Sequence, residues 1–354
     1  MNTVADIKIS RVTKSKLSEL NLHNIPFGKF FTDHMLEVDY ENGAWGTVQI
    51  KPYQDLALAP SLAALHYGQA IFEGIKAYKN EEGEGAIFRP FENFKRFNFS
   101  ATRMQMPEVP EEIFIDGMKE LLKLDQAWIP TFAQHSLYIR PFMFSTDEMI
   151  GVRPSEKYKF MIILSPTGPY YSKPMRIYVE EKYIRAAPGG TGAAKTAGNY
   201  GASMYPTAIA KEKGYDQVLW MDGLEHKYVQ ECGTMNVFFI IDGKAVTPSL
   251  EAGTILAGVT RDTVIDIFRE EGIEVEERPL NIDEVISSYK SGTLTEVFGT
   301  GTAATISMIK ELRYKDFVME FDVEKTSKTK QVATTLDNIR YGKTADTHNW
   351  MVKI

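Results

Sequence analysis

The chain has 354 residues, 44% of them hydrophobic and 25% charged, with a formal net charge of −7. That length exceeds what one hydrophobic core usually organises, so two domains are expected, and an acidic balance without a basic run excludes a general nucleic-acid surface. The single cysteine, Cys232, excludes an internal disulfide and a cysteine-built zinc site, and the apolar run from Val237 to Ile241 is far too short to cross a membrane.

Along the chain, the N-terminal stretch MNTVADIKISRVTKSK has no apolar core of the secretory-signal kind, and with the lone cysteine it suits a reducing cytoplasm. AIFRP (Ala86 to Pro90) reads as a short strand. It leads into a helix from about Asn93, with Phe94, Phe97 and Ala101 on one face. Glu111 to Leu124 is an amphipathic helix, because Ile113, Met118, Leu121 and Leu122 recur at helical spacing. His135 to Thr146 and Lys159 to Pro166 read as strands, and TGPYYSKP (Thr167 to Pro174) as a linker. Beyond it, RIYVEE opens a second half, and SMYPTAIAKEKGY carries a helix that stops at Gly214. QVLWMDG and VQECGTMNVFFIIDGKAVTP are strands with tight Asp-Gly turns. Thr260 to Gly272 is a helix with Thr260 as its expected N-cap, and SGTLTEVFGTGTAATISMI is strand, turn, strand. The pattern is α+β, not an alternating βαβ chain. The expected division is a smaller α/β domain over 1–168, a linker over 169–182 and a larger domain over 183–354.

The densest chemical signal is PGGTGAAKTAGNYG, residues 188–201, which sets Lys195 among five glycines with no acidic residue. Glycine lets backbone pass close to a ligand, and a lysine in a crowded, uncharged setting can serve as an amine nucleophile. The same composition also describes a mobile surface loop. Gly258 and Val259 stand just before a helix, where free N–H groups form either a phosphate site or an ordinary capped start. FGTGTAA (Phe298 to Ala304) is a second Gly/Thr turn with donors suited to an anion.

Arg96 falls on the helix after the first strand. Arg140 shares a strand face with Tyr138 and Phe142. It is there either a snorkelling edge residue or a carboxylate clamp, and the spacing does not decide which. Glu231, beside Cys232 and Gly233, lies either on a solvent face or buried with a partner; a protonated pyridine nitrogen would be such a partner. The six histidines show no metal-binding spacing, and neither a G-x-S-x-G elbow nor a Walker P-loop is present.

Together with FGKFFTDHM (Phe27 to Met35), LHYGQAIFEGIKAY (Leu65 to Tyr78), LYIRPF, QECGTMNVFFI, LAGVTRD, EVFGTGTAA and the C-terminal IRYGK, these segments resemble branched-chain amino-acid aminotransferases. That family belongs to the fold-type IV pyridoxal-phosphate enzymes, whose two-domain architecture is like that of D-amino-acid aminotransferase. The resemblance runs over nearly the whole chain. It implies pyridoxal 5'-phosphate as cofactor, no metal, and a homodimer of a cytoplasmic enzyme with no nucleic-acid or membrane partner.

The resemblance also implies roles. Lys195 matches the Schiff-base lysine that moves the α-proton. Tyr200 matches the partner of the cofactor's phenolic oxygen, and Glu231 that of its ring nitrogen. Arg96, the backbone at Val259 and Thr260, and the Thr300 hydroxyl match the phosphate cradle. Thr234, Thr302 and Ala303 resemble the groups at the substrate α-carboxylate. Phe27, Tyr67, Phe72, Tyr138 and Tyr170 resemble the side-chain pocket, with Arg140 at its far end. The implied reaction is ping-pong transamination of leucine, isoleucine or valine with 2-oxoglutarate. D-Amino-acid aminotransferase and aminodeoxychorismate lyase share the fold and are the alternatives, although both look shorter and lack the long leader before FTDHM.

Overall fold

The computed structural model describes residues 7–170 and 173–354; residues 1–6 and 171–172, the latter within the expected linker, lie outside it. The chain divides into two compact units. One comprises Met1–Tyr170, Lys195–Gly198 and Ile339–Ile354, and the other Tyr171–Ala194 and Asn199–Asn338. The lysine segment thus groups with the first unit, apart from the chain that flanks it.

In the first unit, ten strands form one sheet. Its main path runs Ile7–Ile9, Val48–Pro52, His34–Glu41, Tyr158–Thr167, Ser136–Ser145, Ile75–Lys79, Gly85–Phe88 and Met351–Lys353, while Ala44–Trp45 and Ala70–Phe72 pair off it. The two long central strands pair antiparallel along their whole length, from Ser136 opposite Thr167 to Ser145 opposite Tyr158. Their residues Leu137, Ile139, Met143, Phe160, Ile162 and Leu164 are fully buried in the main core. Thr167, expected in the linker, ends the second of these strands, because it continues the pairing opposite Ser136.

Two helical segments cover this core. The first runs Pro90–Arg103, three residues earlier than the expected start at Asn93, because Pro90 supplies a fixed φ at the first helical position. The second begins as a π-type turn over Glu112–Asp116 and continues as an α-helix over Gly117–Leu124, burying Ile113, Phe114, Met118, Leu121 and Leu122. The π turn is invisible to a 3.6-residue pattern.

In the second unit, nine strands form another sheet, in the order Val229–Cys232, Gln217–Met221, Met175–Val179, Thr305–Tyr314, Leu294–Gly301, Asn236–Ile241, Lys244–Thr247 and Val275–Glu277, with Phe317–Glu320 against Thr305–Tyr314. Val237, Phe238, Phe239, Val297, Phe298 and Ile309 fill its buried positions. The Asp242-Gly243 turn has φ of 50° and 77°, the doubly left-handed turn that Asp-Gly favours in a hairpin.

The helix expected from Thr260 runs Val259–Glu270 with Gly258 as its N-cap, so Thr260 lies inside the first turn and is buried. Packing decides this. A Cβ at position 258 would collide with the Asn236 carboxamide, so the extended capping residue has to be glycine. Among the described residues no helix is long and apolar enough to cross a membrane.

Candidate active site

The residues singled out in the sequence fall into two sets, one on each unit. On the first unit, Lys195 is fixed through its backbone. Its carbonyl accepts from the Phe72 N–H at 3.1 Å and its N–H donates to Ser100 Oγ at 2.9 Å, while Thr196 bridges to Ile71. The Lys195 side-chain nitrogen stands 4.9 Å from the Phe72 ring centre. The lysine is therefore held against the strand Ala70–Phe72 and is not carried on a loose surface loop.

The residue after that strand, Glu73, was not anticipated. It is fully buried and receives a two-pronged contact from Arg96, Nε to Oε1 at 2.7 Å and Nη2 to Oε2 at 2.8 Å. Asn93 adds a third donor at 2.8 Å. Burial pushes the Glu73 carboxyl up, but Arg96, then Lys195 and Asn93, outweigh it and hold the group below the usual carboxylate range. Arg96 therefore enters the site as one half of a preset fork. The only trace of this in the sequence is an acidic residue inside an otherwise apolar run.

Arg140 donates from Nη2 to the Tyr138 hydroxyl at 2.9 Å, and its guanidinium lies 4.5 Å from the Phe72 ring centre and 5.3 Å from that of Tyr138. Its Nε is buried without a hydrogen-bond partner among the described residues. Phe27 packs edge-on against both Tyr138 and Tyr170, each at 4.9 Å between ring centres. Gly74 lets the Tyr138 ring approach, since any Cβ there would collide with the phenol oxygen. Phe27, Phe72, Tyr138, Arg140 and Tyr170 thus come together. Tyr67 makes no ring contact with them among the described residues: it ends the short helix Ala63–Tyr67, is 41% exposed, and meets the ring of His66.

On the second unit, Glu231 is only 3% exposed, which decides for the buried reading. It takes a hydrogen bond from the Leu256 N–H at 2.7 Å and an ion-pair contact from Arg185 at 3.0 Å. Arg185, Tyr200, Glu231, Gly233 and Thr234 line one small crevice. Gly233, with φ of 57°, turns the chain in the link between Val229–Cys232 and Asn236–Ile241 that carries Thr234.

Asn236 organises the remaining set. It pairs with Thr300 across the sheet, and its side chain donates to the Leu256 carbonyl at 2.9 Å. Strand, loop and the start of the helix at Val259 are thereby tied together. Thr300 Oγ1 is buried with no hydrogen-bond partner among the described residues. Thr302 and Ala303 occupy the turn between Leu294–Gly301 and Thr305–Tyr314. A buried unpaired hydroxyl and a helix start with spare N–H groups are features that a phosphate group would satisfy.

Comparison with known proteins places this geometry in context. The family model described as Amino-transferase class IV matches residues 70–312. A probable branched-chain-amino-acid aminotransferase of Staphylococcus epidermidis is 48% identical over 337 residues, 94% of each chain. Branched-chain-amino-acid transaminase 1 of Bacillus subtilis is 47% identical over 337 residues, again 94% of each. Among solved structures, the branched-chain aminotransferase of the archaeon Thermoproteus uzoniensis with norvaline superposes with a TM-score of 0.74 at 26% identity, covering 90% of this chain and 99% of that one. A branched-chain amino acid aminotransferase complexed with N-(5'-phosphopyridoxyl)-L-glutamate gives 0.72 at 27% identity, covering 89% and 97%.

Proposed function

We infer that this chain, which belongs to the class IV aminotransferase family, is a branched-chain amino-acid aminotransferase. It moves the amino group of leucine, isoleucine or valine to 2-oxoglutarate, giving the branched 2-oxo acid and glutamate. The observation that carries the reading is identity of 47% and 48% to enzymes of that name over 94% of both chains. The near-full-length match favours this activity over that of a D-amino-acid aminotransferase or aminodeoxychorismate lyase.

The cofactor is pyridoxal 5'-phosphate, which when bound supplies an aldehyde and an electron-withdrawing ring. Its phosphate fits the unpaired Thr300 hydroxyl and the N–H groups at Val259 and Thr260. Arg96, aligned by Glu73, supplies the charge to that phosphate. Tyr200 donates to the cofactor's phenolic oxygen, and Glu231 accepts from its ring nitrogen. Lys195 Nζ would attach the cofactor and, once released by the amino acid, would act as the base that takes the α-proton and gives it to the cofactor carbon within the same half-reaction. Thr234, Thr302 and Ala303 orient the α-carboxylate. Phe27, Phe72, Tyr138 and Tyr170 give an apolar wall that takes a branched side chain and excludes water, with Tyr67 as a further member.

Arg140 answers the problem posed by the second substrate, whose side-chain carboxylate would be costly to bury unpaired. The same proposal makes the protein a cytoplasmic homodimer. Exposed Leu65, Ile150 and Val152 support self-association. They lie on two segments joined where the Ala63 N–H donates to the Asp147 carbonyl, and together expose apolar surface.

The test of the assignment is chemical. Borohydride reduction of the cofactor-loaded protein, followed by peptide mapping, should place the label on Lys195, and Lys195→Ala should take up no reducible label and turn over neither leucine nor valine. A label on any other lysine overturns it.

A further inference from the structure

Arg185 has no part in the roles assigned above, yet it is buried beside Glu231, the two side chains being 9% and 4% exposed. Three oxygens crowd its Nη2 nitrogen: the Gly192 carbonyl at 2.8 Å, the Thr254 carbonyl at 2.7 Å and Glu231 Oε1 at 3.0 Å. That nitrogen carries two hydrogens, and both are donated to the carbonyls. What reaches Glu231 from Arg185 is therefore charge and not a hydrogen bond. The hydrogen bond to Oε1 comes from the Leu256 N–H, at 2.7 Å. The site is built for this approach, because a Cβ on Gly192 would collide with the Thr254 carbonyl.

We propose that Arg185 is a positioning residue for Glu231: its buried positive charge keeps the carboxylate ionised and so keeps the proton on the cofactor's ring nitrogen. The proposal rests on the reading that Glu231 pairs with that nitrogen. In such a pair the proton resides either on nitrogen, facing a carboxylate, or on oxygen, facing a neutral ring. A cation 3.0 Å from the carboxylate oxygen stabilises the ionised carboxylate and so favours the first arrangement, and burial magnifies the effect. The neutral ring is the weaker electron acceptor, so Arg185 would act on rate through Glu231 without touching substrate.

Two substitutions separate charge from hydrogen bonding. Arg185→Gln removes the charge and leaves a shorter polar amide in its place. Arg185→Lys retains the charge. The readout is the nitrogen-15 chemical shift of ring-labelled pyridoxal phosphate bound to each purified holoenzyme, recorded alongside the thermal midpoint. We expect a pyridinium shift in the wild type and in Arg185→Lys, and movement toward the neutral-pyridine value in Arg185→Gln. The leucine half-reaction should slow in Arg185→Gln by on the order of ten- to a hundredfold, as when outer partners that orient a ligand are removed, with little change in KM.

A pyridinium shift in Arg185→Gln overturns the proposal. Equal loss in both variants also overturns it, since Arg185 would then be only a tie for the two carbonyls. A neutral ring already in the wild type defeats the Glu231 reading itself, and this inference with it. Should Arg185→Gln fail to fold, Arg185→Met decides by the same measurement.

Discussion

Arg140→Ala should separate the two half-reactions. The perturbed group is a guanidinium held by the Tyr138 hydroxyl at 2.9 Å and lying over the Phe72 ring at 4.5 Å, with a buried Nε that has no partner among the described residues. Those contacts fix the arginine, and in the role proposed for it the guanidinium pairs with the carboxylate of 2-oxoglutarate. Truncating one partner of a buried charge pair costs about 2–5 kcal/mol. Arg140 is only part-buried and already satisfied by Tyr138 on one side, so the loss belongs near the lower half of that range. About 3 kcal/mol is roughly a hundredfold in the dissociation constant of 2-oxoglutarate. Leucine loses only the packing of the arginine side chain in the aromatic wall, where the guanidinium lies over Phe72, for which under about tenfold is expected. Single-turnover absorbance reads each half-reaction separately, leucine against the pyridoxal form and 2-oxoglutarate against the pyridoxamine form. Arg140→Met, which keeps the stem, should return leucine to wild type and leave 2-oxoglutarate impaired. Equal losses for both substrates would refute the clamp and leave Arg140 as a support for the aromatic wall.

Two other outcomes are expected. Glu73 has its carboxyl held below the ordinary range by Arg96, Lys195 and Asn93 against the cost of burial, so its contribution to stability is present above the unfolded-state value and is lost as pH falls through the lower folded one. The thermal midpoint of the wild type should therefore drop below about pH 4.5 more steeply than that of Glu73→Gln, and parallel curves would show that the fork contributes nothing to acid lability. Cys232 is fully buried, and burial together with the neighbouring Glu231 pushes its thiol well above the ordinary value. Mild peroxide should leave activity unchanged and iodoacetamide should label Cys232 only after denaturation; a thiol-reversible loss of activity would contradict both points.

Much of the fold could be read from the chain because its strands carry strong local signals. The two long strands ending at Ser145 and Thr167 differ from expectation by about one residue at each end. The failures occur where a distant partner decides. Thr260 is a better capping residue than glycine by preference, yet Gly258 takes the cap because Asn236, on a separate strand, occupies the space where a side chain would go. Lys195, Arg140 and Glu231 stood out by type and setting. Their supports did not: Ser100 is 95 residues from Lys195, and Glu73 is 23 from Arg96. A single sequence does not show such pairings, so Glu73 is marked there only as an acidic residue inside an apolar run.

The glycines of the lysine segment do not all have the task that the sequence suggests for them. The sequence suggests that glycines crowd around Lys195 so that backbone can approach a ligand. In the structure, Gly198 and Gly201, the two after the lysine, would accept a Cβ with nothing within 4 Å. The constraint lies before it. Gly189 has φ of 77°, a Cβ at Gly190 would press on the Ala187 carbonyl at 2.9 Å, and one at Gly192 would strike Thr254. These glycines bring the chain into a turn whose carbonyl meets Arg185, the residue beside Glu231. Lys195 is instead located by Phe72 and Ser100. The two halves of one motif thus have different tasks. The glycines before the lysine set the charge environment of Glu231, and the strand pairing at the lysine sets the amine. A Gly192→Ala variant should therefore move the ring-nitrogen shift in the same direction as Arg185→Gln, although it lies close to Lys195 in the chain. A Gly192→Ala holoenzyme with the wild-type nitrogen-15 shift would show that the turn can relax without releasing Arg185 from Glu231.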